Sequence, residues 1–263
     1  MKFIHISDTH LTSDIQPSLY GIDSYFRLEI ALRSIDKWHS DAKFVVITGD
    51  LCNNVSDFAY AKLQSIVKNY DIDIYPMLGN HDRRDLFEPY FAKFIHEGFV
   101  QYVKNIDDKV FIFLDTLVEG KPYGEFCDSR LKWLENQLKR YSKENIYLFM
   151  HHHPIACGLY EMDNQANFRT SKEFWKLLGR FKNIKHISFG HIHRIMHSVK
   201  NGISMHSTRS TTFQVAYKPN SKVEYLTNEE NPTYAIIDID KDGDTRVHHH
   251  EYMNEDRFYL GEC

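Results

Sequence analysis

Short apolar runs alternate with segments of helical periodicity along most of the chain. Lys2-Phe3-Ile4-His5-Ile6 reads as a strand and Phe44-Val45-Val46-Ile47 as a buried one. Ile72 to Leu78, Val110 to Leu114, Ile146 to Met150 and Ile184 to Phe189 extend the series. Between them, Tyr25 to Trp38 carries Phe26, Ile30, Ile35 and Trp38 at roughly helical spacing. Ser56 is placed to cap a helix running to about Tyr70, with Phe58, Leu63, Ile66 and Val67 facing inward. Leu131, Leu134 and Leu138 share a face of a helix that Asp128 or Ser129 would cap, and another helix lies around Phe174 to Leu178. Trp38, Trp133 and Trp175 sit in these patterns as core anchors. The alternation predicts helices packed around at least partly parallel strands.

From about residue 194 the pattern changes. Ile195-Val199 and Tyr234-Ile239 read as short strands, and Asn201-Gly202 and Asp242-Gly243 are hairpin turn signals. They predict a more antiparallel, loop-rich C-terminal portion on the same core, within a single domain over residues 1–263. The polar stretch from Lys218 to Pro232 reads as a long loop. His248-His249-His250 fits the alternating faces of a late strand.

Composition narrows the partners. Hydrophobic residues make up 42% of the chain, enough for a sizeable core. A net charge of -4 with no basic block argues against long nucleic acid and against an anionic membrane surface. No apolar stretch is long enough to span a bilayer, and His5 and Asp8 interrupt the N-terminal run, so it is not a signal peptide. The cysteines, Cys52, Cys127, Cys157 and Cys263, form no CxxC pair and predict reduced thiols in a cytoplasmic protein.

The chemistry sits where strands end. Asp8-Thr9-His10, Gly49-Asp50, Gly79-Asn80-His81-Asp82, His151-His152-His153-Pro154 and Gly190-His191-Ile192-His193 each follow a predicted strand. In an open α/β sheet, ligands bind outside the carboxyl ends of strands, so clusters far apart in sequence can converge. Residues i and i+2 of extended chain point the same way, which pairs Asp8 with His10 and His191 with His193. Gly49, Gly79 and Gly190 precede three of these clusters, and glycine lets the backbone turn sharply or approach a ligand closely. Asp8, His10, Asp50, Asn80, His151, His191 and His193 are too many ligands for one tetrahedral ion, and suit two ions sharing a carboxylate. Imidazole and carboxylate without thiolate favour iron, manganese, zinc or cobalt.

This series of motifs, with Leu114-Asp115-Thr116, Gly124-Glu125 and Leu131-x-Trp133-Leu134, resembles the calcineurin-like metallophosphoesterases. Within them it is most similar to the class III branch of bacterial cyclic-AMP phosphodiesterases and glycerophosphodiesterases. The resemblance implies a four-layer α/β/β/α sandwich of mixed sheets. It implies that Asp8, His10 and His193 hold one ion, that Asn80, His151 and His191 hold the other, and that Asp50 bridges them. His81 matches the family's catalytic histidine, and Asp82 would orient it or its turn. His152 and His153 would support the ligands or line the pocket, and Arg84 is a candidate phosphate contact. The implied activity is hydrolysis of a small phosphodiester, with 3′,5′-cyclic AMP the leading substrate, by a hydroxide bridging two metals. A phosphatase, or a diesterase for glycerophosphodiesters or other nucleotides, is the alternative. A metal-bearing binding protein without turnover is a remoter one, disfavoured because every expected ligand and His81 are present.

Overall fold

The computed structural model describes residues 1–218, 227–228 and 230–254. In chain order the elements are β1 (Lys2–Ile6), α1 (Ser24–Trp38), β2 (Phe44–Ile47), α2 (Asp57–Val67), β3 (Asp73–Pro76), α3 (Arg84–Phe91), β4 (Tyr102–Ile106), β5 (Lys109–Phe113), α4 (Asp128–Arg140) and β6 (Asn145–Met150). They continue with α5 (Tyr160–Asn164), α6 (Ser171–Leu178), β7 (Ile184–Phe189), β8 (Met196–Lys200), β9 (Ile203–Ser207), β10 (Gln214–Val215), β11 (Thr227–Asn228), β12 (Thr233–Ile239) and β13 (Thr245–Glu251).

Among the described residues the strands form two large mixed sheets, in the orders β13-β12-β1-β2-β3 and β4-β5-β6-β7-β9-β8. The neighbours β1-β2-β3 and β5-β6-β7 are parallel, as strand–helix alternation requires. Alternation of side chains then sorts each strand into two faces. Phe3 and Phe44 of the first sheet meet Phe111 and Phe149 of the second, with Phe44 and Phe111 centroids 5.0 Å apart. Tyr75 and Phe113 continue this seam at 5.4 Å. Such pairs each add about 0.5–1.5 kcal/mol beyond simple burial. Leu28, Leu32 and Ile35 of α1 and Leu63 of α2 join the same core. The other face of the second sheet, with Val110, Ile112, Ile146 and Leu148, packs on Leu134 and Leu138 of α4 and Phe174 and Leu178 of α6. This is the expected helix–sheet–sheet–helix sandwich.

Several local expectations are corrected. Leu28, Ala31, Leu32 and Ile35 form the buried stripe of α1, so Phe26, two residues from Leu28, lies on the opposite side and is exposed. Trp38 ends the helix and is 56% exposed under the Lys37 ammonium, so it is no core anchor, whereas Trp133 and Trp175 are buried. Ser56 caps α2 through the Ala59 N–H, but Phe58 is exposed and the helix ends at Val67. Cys127, not Asp128 or Ser129, precedes the first turn of α4. In the C-terminal portion, Asn201-Gly202 turns β8 into β9 and Asp242-Gly243 lies between β12 and β13, but β9 also runs parallel to β7. The 248–250 histidines lie on β13, paired along β12. The expected loop from Lys218 to Pro232 lies mostly outside the described residues, as does Cys263. No helix among the described residues is long and apolar enough to cross a membrane.

Candidate metal centre

The carboxyl ends of β1, β2, β3, β6 and β7 deliver the polar clusters to one end of the sandwich. Backbone bonds knit these ends together: the Asp8 N–H donates to Gly49 O at 3.1 Å and the His10 N–H to Asp50 O at 2.9 Å. Asp8, His10, Asp50 and His193 form one buried group whose ligand atoms all lie within 4.8 Å of one another. Beside it, His151 Nε2 stands 3.1 Å from Asn80 Oδ1 and 3.2 Å from His191 Nδ1. Asp50 faces both sets. Its Oδ2 is 3.6 Å from His10 Nε2 and its Oδ1 is 3.4 Å from His151 Nε2.

The pairing of Asp8 with His10, and of His191 with His193, does not come from extended chain. Asp8, His10, Asp50, His191 and His193 have φ between 41° and 72°. Left-handed backbone costs a side-chain-bearing residue of order 1–3 kcal/mol and persists where the surroundings enforce it. Here the enforcement is local, since the His191 N–H donates to both Asp8 carboxylate oxygens at 3.1 Å.

The histidines are aimed by their outer nitrogens. His151 Nδ1 pairs with Thr48 O, His191 Nε2 with Ala166 O and His193 Nδ1 with Phe213 O, each at 2.8 Å. A carbonyl can only accept, so each bond fixes the tautomer and leaves the lone pair of the other nitrogen pointing into the site, the arrangement metal-ligating histidines use. Charge tells the same story. Burial pushes the Asp50 carboxyl up, but His151, His81 and His10 overcome it and hold it well below the carboxylate range. Burial opposes a charge on His151, yet Asp50 and Asp8 raise it to about 9. The buried carboxylates therefore draw positive charge to this point, and two divalent cations fit the donor set.

Asp82 supports the cluster from beneath. It accepts from the Leu51, Cys52 and Gly79 N–H groups and the Tyr60 hydroxyl, at 2.8 to 3.1 Å. It thus ties the loop after β2 to the loop after β3, and burial together with Asp50 pushes its carboxyl up to about 6. A Cβ at Gly79 would overlap both Asp50 Oδ1 and the Asp50 backbone nitrogen. Gly79→Ala is therefore expected to displace Asp50 and weaken metal binding by about 10- to 100-fold, the usual cost of a disturbed support, read by competition with a chelator.

The remaining expected residues divide. His81 borders a cavity of about 310 Å³ together with His10, Asp50, Asn80, His191 and His193. Its Nδ1 is tied to Asn53 O at 2.8 Å. His152 lies behind the ligands, bonded to Thr116 Oγ1 at 2.8 Å, and its ring centroid is 4.7 Å from that of His191. His153 stacks on the far side of His191, ring centroids 5.6 Å apart. Arg84 is not brought to the cavity. Its guanidinium forms a two-pronged pair with Asp115 at 2.8 and 2.9 Å and also donates to Leu117 O. Arg130 approaches the same carboxylate at 3.5 Å. Asp115→Ala should cost about 3–5 kcal/mol by stranding these guanidiniums, seen as a lower urea midpoint. Sequence reasoning did not find Tyr20, Met162, Pro122 and Val215, which join Phe213 in the apolar wall of the cavity. The segment Ser210 to Gln214 lies against the ligands. Its Phe213 aims His193, and Ser210 Oγ donates to Asp8 O at 2.7 Å.

A two-sheet sandwich that gathers histidines, aspartates and an asparagine at the ends of parallel strands defines a metallophosphoesterase. The chain matches the calcineurin-like phosphoesterase family over residues 1–194 and belongs to it. It is 32% identical over 247 residues to a probable cyclic nucleotide phosphodiesterase of Rhodopseudomonas palustris, covering 92% of this chain and 89% of that one. It is 29% identical over 235 residues to a probable glycerophosphodiester phosphodiesterase of Arcobacter nitrofigilis, covering 86% and 85%. These relatives place it in the class III branch and make it a metal-dependent phosphoric ester hydrolase. Its fold is shared with a dimetal phosphatase from Danio rerio, with a TM-score of 0.66 at 14% identity, covering 90% and 92%.

Proposed function

We propose that the chain hydrolyses 3′,5′-cyclic nucleotides, cyclic AMP foremost, at the cavity between His81 and the Phe213 wall. The observation that carries this is the position of Asp50, with one oxygen toward each ligand set at the floor of a cavity of about 310 Å³. Asp8, His10 and His193 would hold one cation and Asn80, His151 and His191 the other, with Asp50 shared. Iron, manganese, zinc and cobalt suit these donors. When bound, such a pair supplies Lewis-acid stabilisation of phosphoryl charge and lowers the pKa of water.

The protein's own groups do the rest. The carbonyls of Thr48, Ala166 and Phe213 hold the imidazoles in register. His81, fixed through Nδ1, borders the cavity, where its Nε2 would donate a proton to the leaving alkoxide. Tyr20, Phe213, Met162 and Val215 give a base or other apolar group a surface to lie on and shed water from the reacting phosphate. The aromatic seam between the sheets supports treating residues 1–263 as one domain. A glycerophosphodiester substrate is the second reading, favoured by the Arcobacter relative.

The test is hydrolysis by manganese-loaded protein of 3′,5′-cyclic AMP, a glycerophosphodiester and a generic aryl phosphodiester. Turnover of cyclic AMP and the aryl ester is the expected result. Turnover of the glycerophosphodiester in place of cyclic AMP would transfer the assignment to the second reading. Turnover of the aryl ester alone would defeat both substrates.

A further inference from the structure

Behind the His191 ring lies a second group of ligand-type side chains: His153, Cys157 and Asp163, whose donor atoms are all within 4.8 Å of one another. His153 is 2% exposed, and neither of its ring nitrogens has a hydrogen-bond partner among the described residues. Such a group costs several kcal/mol if nothing satisfies it. Its Nε2 stands 3.4 Å from Asp163 Oδ1 without the alignment of a hydrogen bond. That oxygen already accepts the Cys157 N–H at 2.8 Å, while Oδ2 accepts the Gly158 N–H at 2.9 Å. Asp163 is thereby held in place beside an imidazole that it meets only at 3.4 Å. A cavity of about 220 Å³ opens against His153 and Asp163, with Asn167 on its rim.

The geometry points to a third cation site, formed by His153, Cys157 and Asp163, that takes zinc or cobalt separately from the dinuclear centre. Imidazole, thiolate and carboxylate together form a zinc donor set, and three protein ligands with an open fourth position are a common zinc arrangement. Metal–ligand lengths of about 2.0–2.3 Å put the ligand atoms of a tetrahedral zinc roughly 3.3–3.8 Å apart, so only a small closure is needed. The cavity leaves room for water in the fourth position. Binding would deprotonate the Cys157 thiol, which burial pushes up to about 12, and release its proton to solvent.

The site would also bear on the first one. Asp163 lies in α5, and the same segment supplies Met162 and Ala166 to the catalytic cavity. A cation at Asp163 would pin α5 and, through Ala166 O, the orientation of His191.

The dinuclear centre has no thiolate, so the two sites can be told apart spectroscopically. Protein whose dinuclear centre is filled with manganese is titrated with cobalt(II), and the near-ultraviolet thiolate-to-cobalt charge-transfer absorption is followed. The expected result is a band that saturates at one cobalt per chain, is bleached by zinc and is absent from Cys157→Ser. Wild-type protein that develops no band overturns the assignment, whatever the variant does. A band of undiminished strength in Cys157→Ser would trace it to another thiol, such as Cys52 or Cys127, and overturn it as well.

Discussion

Asp50→Ala should reduce metal-dependent phosphodiester hydrolysis by at least about a thousandfold in kcat/KM. A buried carboxylate that faces both ligand sets would contribute to holding both cations, and metal stabilisation of phosphoryl charge is worth several kcal/mol, at about 1.4 kcal/mol per tenfold in rate. The loss has a further cause in the fold. Asp50 Oδ1 accepts the His81 N–H at 2.9 Å, so removing the carboxylate also releases the turn that carries His81. The measurement is metal content by elemental analysis alongside turnover of an aryl diester. A variant that keeps two tightly bound cations and a wild-type rate would show that Asp50 is not the shared ligand.

His81→Ala should separate chemistry from metal binding. The ring lies at the cavity, its centroid 4.9 Å from that of His10, but among the described residues it makes no close ion pair with a carboxylate of the kind that His151 and His193 make. Both cations should therefore remain, while kcat falls by about 10²- to 10⁴-fold, the range for loss of a positioned general acid. The effect should shrink for esters with acidic leaving groups, which depart without a proton. Equal losses for an alkyl and a nitrophenyl leaving group would rule out proton donation. In that case His81 would act by contacting the phosphate itself.

The candidate ligands were legible in the sequence because each is a distinctive side chain placed just after an apolar run. Asp8, Asp50 and Asn80 come from one sheet, and His151, His191 and His193 from the other. Their aiming was not legible. The groups that orient His151, His191 and His193 are the carbonyls of Thr48, Ala166 and Phe213, and any residue can offer a carbonyl. The left-handed backbone at five of the candidate ligands was hidden too, since aspartate and histidine adopt it more often than most residues yet nothing local in the sequence demands it there. Spacing alone overstated the core at Phe26, Phe58 and Trp38, where the apolar residues at helical intervals exceed what one face can bury. Arg84 shows the same limit for charge. A basic residue after an Asn-His-Asp turn suggests an anion, but only the fold reveals that Asp115 claims it.

β1, which leads into Asp8 and His10, pairs antiparallel with β12, and the Met1 amino group donates to Ile239 O at 2.7 Å. A chain emerging from the ribosome therefore presents its first two ligands long before the strand that flanks them exists. Until residues 233–239 are made, β1 has a free edge and a run of Phe3, Ile4 and Ile6 open to association with other chains. Closing so long a loop is slow, because entropy is lost before the contacts that offset it can form. The residues that match the family end at 194, yet the strand that closes the edge of β1, just ahead of Asp8 and His10, lies beyond that point.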